Sequence, residues 1–203
     1  MTPAPPAPAP NRASSVPLLI RRADLLAEGT SDNDIRRARR IGTLTALAPG
    51  SYLPPGEAQH LNRSDRHRLA LEAVLPRLSG NPVVSHVSAA LLHELPVPLG
   101  QERPVHVTRT GPTKSRRGRG VISHRAVLHP DDVTDLGGLT VTSVARTVLD
   151  CAFVLRFDAA VELAEAALRH GRVGADELAS QLARHARAPG VRAAAAMLDR
   201  VTG

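Results

Sequence analysis

Hydrophobic positions near the start of the chain follow a helical period. Ile35, Ala38 and Ile41 fall on one side of a predicted helix, because each lies three residues after the last. We expect this side to pack on Leu25 and Leu26 of the preceding segment. The opposite side of the same helix is strongly basic, so the pattern predicts an amphipathic helix with an exposed cationic face.

Local signals bound this helix at both ends. Ser31 is a good N-cap, and Asp34 can complete a capping box with its backbone. Gly42 is a typical helix-ending residue. The β-prone runs 43–47 and 51–53 follow and flank a turn, which predicts a hairpin. A helix, a turn, a second helix and a hairpin form the layout of a winged helix-turn-helix.

Beyond residue 56 the pattern alternates between strand and helix periods. Val105 and Val107 alternate with polar residues as in a half-buried strand, and 121–126 predicts a second strand after a basic loop over 113–120. The pair Gly137-Gly138 between short β-prone runs predicts a hairpin. The C-terminal third, rich in Ala and Leu, predicts several helices. The expected fold class is α/β (α+β), with a small mixed sheet and a helical C-terminus.

These elements predict three regions. Residues 1–15 are mostly Pro and Ala and predict a disordered tail, residues 16–55 the winged helix-turn-helix, and residues 57–203 the α/β domain. The start lacks the charged and apolar parts of a signal peptide, and no stretch is apolar enough for a membrane span. The single Cys151 is compatible with a reducing compartment. We therefore expect a cytoplasmic protein that does not enter a membrane.

Charge points to a polyanionic partner. The net charge is +7, and of 26 basic residues only Lys114 is a lysine. The chain has only three aromatic residues, one Tyr and two Phe, too few to stack single-stranded bases. Double-stranded DNA is the partner that this composition favours.

Candidate DNA contacts lie on the outward side of the helix and in the basic loop. Arginine suits phosphates and guanine edges, and asparagine suits adenine. A solvated basic face and a solvated loop are the alternatives. The predicted base contacts are Asn33, Arg36 and Arg40, and the predicted phosphate contacts are Ser31, Arg37, Arg39, Thr43, Lys114, Arg116, Arg117 and Arg119.

Two longer motifs carry a family resemblance. The run V-V-S-H-V-S-A-A-L-L-H-E-L-P-V at 83–97 and the run G-L-T-V-T-S-V-A-R-T-V-L-D-C-A at 138–152 resemble the AbiEi-type antitoxin family. The stretch R-A-D-L-L-A-E-G-T-S-D-N-D-I-R-R-A-R-R-I-G-T-L at 22–44 is similar to that family too. Many relatives continue into a nuclease-like domain, which does not follow within these 203 residues.

The resemblance implies a regulator with an N-terminal winged helix and an α/β C-terminal domain. It implies a type IV toxin-antitoxin or phage-defence context, in which the protein represses its own operon by binding inverted repeats, as a dimer on DNA. The functional counterpart would be a nucleotidyltransferase-like toxin, countered without stable binding. The alternatives are a toxin-neutralising protein-interaction module with a vestigial DNA-binding domain, or the targeting part of a split or truncated endonuclease.

Motifs that could carry catalysis are incomplete, so we expect no enzyme, no cofactor and no metal. Asp131 and Asp132 resemble half of a nuclease motif, but no lysine follows at the required spacing. His86, His93, His106 and His124 are interpreted as packed histidines, since a tight zinc site needs three or four converging ligands. Arg146 and Asp150 predict an ion pair on a helix surface.

Overall fold

The computed structural model describes residues 19–111, 116–118 and 120–203, with the backbone alone at Arg116. The predicted tail over 1–15 lies outside these residues, as do Lys114 and Arg119 of the basic loop. Within the described part, helices and strands form two sheets and a helical C-terminal layer.

The N-terminal part contains the predicted helix, turn, helix and hairpin. A short strand precedes the first helix and pairs with the second strand of the hairpin, so the antiparallel sheet has the order β1-β3-β2. Its elements are β1 (Ile20–Arg21), α1 (Arg22–Ala27), α2 (Asp32–Arg40), β2 (Thr45–Ala48) and β3 (Ser51–Leu53).

The remaining elements alternate between helices and strands before ending in four helices. They are α3 (Glu57–His60), α4 (Arg63–Val74), β4 (Val83–Val84), α5 (His86–Leu92), β5 (Val105–Arg109), β6 (Arg116–Gly118), β7 (Val121–Arg125), β8 (Val133–Leu136), β9 (Leu139–Thr142), α6 (Val144–Ala152), α7 (Phe157–Arg169), α8 (Ala175–Arg184) and α9 (Val191–Thr202). One-turn 3₁₀ helices lie at Leu75–Arg77 and Pro130–Asp132.

The second sheet is mixed and has the order β6-β7-β5-β4-β9-β8. The pairs β4–β9 and β5–β7 are parallel, and the other neighbours are antiparallel. The predicted mixed α/β fold with a helical C-terminus is confirmed. The prediction of a loop over 113–120 misses β6, which pairs with β7 at the edge of the sheet and covers part of that run.

The predicted hairpin at Gly137-Gly138 is confirmed, and the helix after it begins at a capping serine. Gly137 and Gly138 both have positive φ and join β8 to β9 in a two-residue turn. Ser143 caps α6 by accepting a hydrogen bond from the Arg146 backbone N–H at 3.4 Å.

Two hydrophobic clusters form the core. The first joins α5 and α6 to α7, α8 and α9, and it holds Cys151 fully buried. The second joins α4 and the six-stranded sheet to the N-terminal hairpin through Leu47 and Leu53, which are 1% and 0% exposed. The hairpin and the sheet therefore share one apolar core across the region boundary that the sequence predicts near residue 56.

Polar contacts hold the hairpin in the same place. Arg77 donates to the Pro49 carbonyl oxygen at 2.6 Å, and Arg103 donates to the Ala46 carbonyl oxygen at 2.6 Å. The Pro49 ring carbons lie 2.7 and 2.8 Å from the position that a Cβ on Gly120 would occupy. The tip of the hairpin is thus packed on the turn between β6 and β7.

Replacing Leu53 by Ala should lower the free energy of unfolding by about 2–5 kcal/mol, because the cavity would open in the shared core. Leu26→Ala is the matched control, since Leu26 is 37% exposed in the same region and should cost about 0.5 kcal/mol or less. Denaturant unfolding measures both. A hairpin that only rests on the surface would make the two variants equal.

Stability should also fall with acidity because of His67. Burial lowers the pKa of His67 to about 4, from an unfolded value of 6.5. In the unfolded chain His67 becomes protonated below about pH 6.5, whereas in the folded protein it becomes protonated only near pH 4. Between these two pH values, each pH unit of acidification therefore lowers the free energy of unfolding by up to about 1.4 kcal/mol. Urea unfolding across the window should show a shallower loss in His67→Leu. The same slope in both proteins would contradict this.

Candidate nucleic-acid interface

The predicted capping box at the start of α2 is confirmed. The Asp34 backbone N–H donates to the Ser31 hydroxyl oxygen at 3.2 Å, and the Ser31 backbone N–H donates to an Asp34 carboxylate oxygen at 3.2 Å. The Ser31 hydroxyl also donates to that carboxylate at 2.5 Å. The phosphate contact predicted for Ser31 stays a prediction, and it would compete with these bonds.

Local hydrogen bonds stabilise the ionised form of the two acidic residues in the first turn. Arg22 donates two hydrogen bonds to the Asp32 carboxylate at 2.9 and 2.6 Å, and these bonds lower the pKa of Asp32. The bonds from Ser31 lower the pKa of Asp34 in the same way. Both carboxylates therefore stay ionised beside the positive end of the helix dipole, where they stabilise α2.

The end of α2 differs from the predicted packing. Ile35 is 3% exposed and faces inward as predicted, but Ile41 is 62% exposed, and Leu26 is also exposed. The prediction that Ile41 and Leu26 pack between the helices is wrong. The regular helix ends at Arg40 and the chain turns at Gly42, so the helical period does not extend to Ile41.

Thr43 closes the end of α2. Its hydroxyl donates to the Ala38 carbonyl oxygen at 3.2 Å, and its backbone N–H donates to the same oxygen at 2.9 Å. The side chain is exposed but already bonded, so the predicted phosphate contact of Thr43 would need this bond to be shared or broken.

The basic face of α2 is exposed, as the amphipathic pattern predicts. Asn33, Arg37 and Arg40 lie on the side of the helix opposite Ile35, and Arg36 flanks them. Arg36 donates from Nε to the Asp32 carbonyl oxygen at 3.2 Å. In the part of the chain that the structure describes, none of the arginines of α2 forms a salt bridge. Their charge is therefore available to an external anion.

A groove runs between α2 and the first strand of the hairpin. Arg36, Arg39 and Arg40 line the helix side of this groove, and Thr45 and Ala46 line the strand side. Arg39 also lies close enough to Arg103 to help lower the pKa of that guanidinium, although burial is the larger cause. Arginine side chains are thus concentrated where α2 meets the hairpin.

Gly120, the last residue of the predicted basic loop, lies beside the hairpin. Gly120 contacts Pro49, which brings the turn between β6 and β7 next to the N-terminal part. Arg117 is exposed on β6. Arg117 therefore lies at the edge of the sheet. The phosphate contacts of Lys114, Arg116, Arg117 and Arg119 stay predictions.

The ion pair predicted between Arg146 and Asp150 forms, but it is buried and not on a helix surface. Arg146 is 2% exposed and donates to Asp150 at 2.8 Å and to Asp132 at 2.9 Å. Gln181 donates to the other Asp132 oxygen at 2.6 Å. Asp132 of the half-motif is thus part of a structural network that joins α6 to α8, whereas the Asp131 side chain is exposed. Burial raises the pKa of Asp150 to about 6, against the lowering effect of Arg146.

Three of the four histidines that the sequence predicts to be packed come together in the fold. His86 begins α5, and His106 and His124 lie on the neighbouring strands β5 and β7. His93 is remote from them and contacts the Thr142 carbonyl oxygen at 2.7 Å. The alternating pattern of the two strands indicated that His106 and His124 lie on strands. It did not indicate that these histidines are neighbours of His86, because the register of the strands and the position of α5 depend on tertiary packing.

Comparisons with known proteins show the fold alone. No family model matches the chain, and no curated protein matches it. The fold is similar to that of the crystal structure of the RV2827C protein from Mycobacterium tuberculosis, with a TM-score of 0.51 and 19% sequence identity over 93% of this chain and 73% of that chain.

None of the helices in the described ranges is long and apolar enough to cross a membrane.

Proposed function

We propose that this chain is a non-enzymatic regulator that binds double-stranded DNA. The observation that carries the proposal is the exposed arginine face of α2, held by a capping box and free of salt bridges among the described residues. Arginine forks pair with phosphates and with guanine edges in the major groove. The net charge of +7 supports the same partner.

The family resemblance gives this proposal its biological setting. As an antitoxin of the AbiEi type, the chain would repress its own operon by binding inverted repeats in its promoter, as a dimer. A nucleotidyltransferase-like toxin would be its functional counterpart in phage defence. The motifs at 83–97 and 138–152 support this setting, together with the exposed face of α2.

The exposed polar side chains of α2 would contact both bases and phosphates. Asn33, Arg36 and Arg40 would reach base edges. Arg37 and Arg39 would contact the flanking phosphates. The basic loop would add phosphate contacts through Lys114, Arg116, Arg117 and Arg119.

Arg40→Ala should weaken binding to the promoter duplex by about 1–3 kcal/mol, which is about 5- to 150-fold in Kd, because a bidentate base contact would be lost. Arg37→Ala should weaken binding to the promoter duplex and to a scrambled duplex by the same factor. It should also reduce the slope of log K against log salt concentration by about 0.9, because one phosphate contact would be lost. Fluorescence anisotropy with both duplexes at several salt concentrations measures these effects.

Arg192→Ala is the matched control, because it removes one exposed positive charge from α9, far along the chain from the interface. This variant should bind like the unmodified protein. If Arg192→Ala weakens binding as much as Arg40→Ala, or if binding does not depend on salt, the proposed role of α2 is wrong.

The docked hairpin favours a second candidate, a protein-interaction module. A hairpin whose core residues are buried and whose tip packs on Gly120 offers little surface to DNA. In this case the α/β part would bind a protein partner, and the DNA-binding part would be vestigial. Size-exclusion chromatography with the purified toxin discriminates the DNA-binding regulator from the protein-interaction module. The protein-interaction module requires a stoichiometric complex with the toxin, and its affinity for DNA should be the same for all sequences.

A further inference from the structure

The histidine cluster, His86, His106 and His124, lies on one face of the six-stranded sheet, and the strand registers place Arg117 of β6 on the same face. His106 and Thr108 point to the same side of β5, and the parallel register pairs Thr108 with His124 of β7. His86 joins them from the start of α5, where the Ser85 backbone N–H donates to the His106 carbonyl oxygen at 3.1 Å. Three separate elements thus each contribute one imidazole.

The ring nitrogens are close enough to share one ion. Nδ1 of His106 and Nε2 of His124 are 3.0 Å apart, and one ring nitrogen from each histidine lies within 4.8 Å of the others. The rings of His86 and His124 are stacked, with centroids 3.5 Å apart. Zn²⁺ takes histidine nitrogens at about 2.0–2.1 Å, which places two such ligands about 3.3 Å apart in a tetrahedral site. To bind one ion, the rings of His86 and His124 would turn out of their stacked arrangement, because the lone pair of an imidazole nitrogen lies in the plane of its ring.

The protonation of these residues suits a metal ligand. Burial lowers the pKa of His106 and of His124 to about 4, and burial also holds the pKa of His86 well below its usual value. All three rings are therefore neutral at pH 7. A neutral imidazole carries one N–H and one lone pair, so one of the two nitrogens that lie 3.0 Å apart donates a hydrogen bond to the other, and a metal ion would replace that proton. Neutral imidazole is the form that binds metal ions.

The surroundings of His86 resemble the outer shell of a metal site. Its Nδ1 contacts the Ser85 hydroxyl at 2.9 Å, and that hydroxyl accepts a hydrogen bond from Thr108 at 2.8 Å. Asp150 Oδ2 lies 3.7 Å from the same Nδ1 and has no hydrogen-bond partner among the described residues. Hydroxyl and carboxylate partners of this kind fix the ring and leave its Nε2 for a metal.

We propose that His86, His106 and His124 form a binding site for a divalent transition-metal ion, with Zn²⁺ as the best match. Three nitrogen ligands leave a fourth position for solvent, and the half-buried His124 is on the open side of the cluster. The ion would tie the start of α5 to strands β5 and β7. Aligned neutral histidines that bind no metal are the competing explanation of the same geometry.

The test uses the full-length protein after treatment with EDTA, and Zn²⁺ and Co²⁺ as probes. Calorimetry should show one equivalent of Zn²⁺ bound, and Co²⁺ should give the visible absorption of a four-coordinate site. His124→Ala should weaken Zn²⁺ binding at least about 100-fold, because it removes a direct ligand. His60→Ala, an exposed histidine on α3, is the control and should bind like the unmodified protein.

A second measurement does not depend on the folding of a variant. Imidazole ¹⁵N chemical shifts of the unmodified protein should move at His86, His106 and His124 when Zn²⁺ is added, and should stay unchanged at His93. Absence of saturable binding, equal affinity in His124→Ala and His60→Ala, or shifts at other histidines would overturn the proposal. None of these outcomes depends on DNA binding.

Discussion

The apolar contact between the β2–β3 hairpin and the sheet beneath α4 determines how the rest of the protein is arranged. Leu47 and Leu53 of the hairpin are buried in the cluster that α4 and the six-stranded sheet form, so the hairpin is part of the larger fold. Strand β1 pairs with β3 and leads directly into α1, which connects the two N-terminal helices to the same core. The outward face of α2 is therefore held in a fixed orientation, and we infer that the helix, more than the hairpin, meets DNA.

Features that depend on neighbours in sequence could be predicted from sequence. The capping box of Ser31 and Asp34 needs only a helix start, and the turn at Gly137-Gly138 needs only two residues with positive φ. The exposed basic side of α2 follows from the inward position of Ile35 and the helical period. The mixed sheet was predictable as a class, because strands alternate with helices along the chain.

Features that depend on distant contacts could not be predicted. Four-residue spacing predicts the pair Arg146–Asp150, but only the approach of Asp132 and Gln181 explains why this pair is buried. A buried guanidinium is tolerated where several acceptors offset its desolvation. Likewise, no spacing in the sequence brings three histidines together, since the parallel pairing of β5 with β7 determines which of their residues are neighbours.

The central claim is that α2 presents the DNA-binding surface while the hairpin stays within the core. Backbone amide chemical shifts during titration with the promoter duplex test it most directly. We expect the largest changes at Asn33, Arg36, Arg37 and Arg40, and little change at Gly50 in the docked hairpin. Shifts that cluster in the hairpin, with α2 unchanged, would contradict the claim.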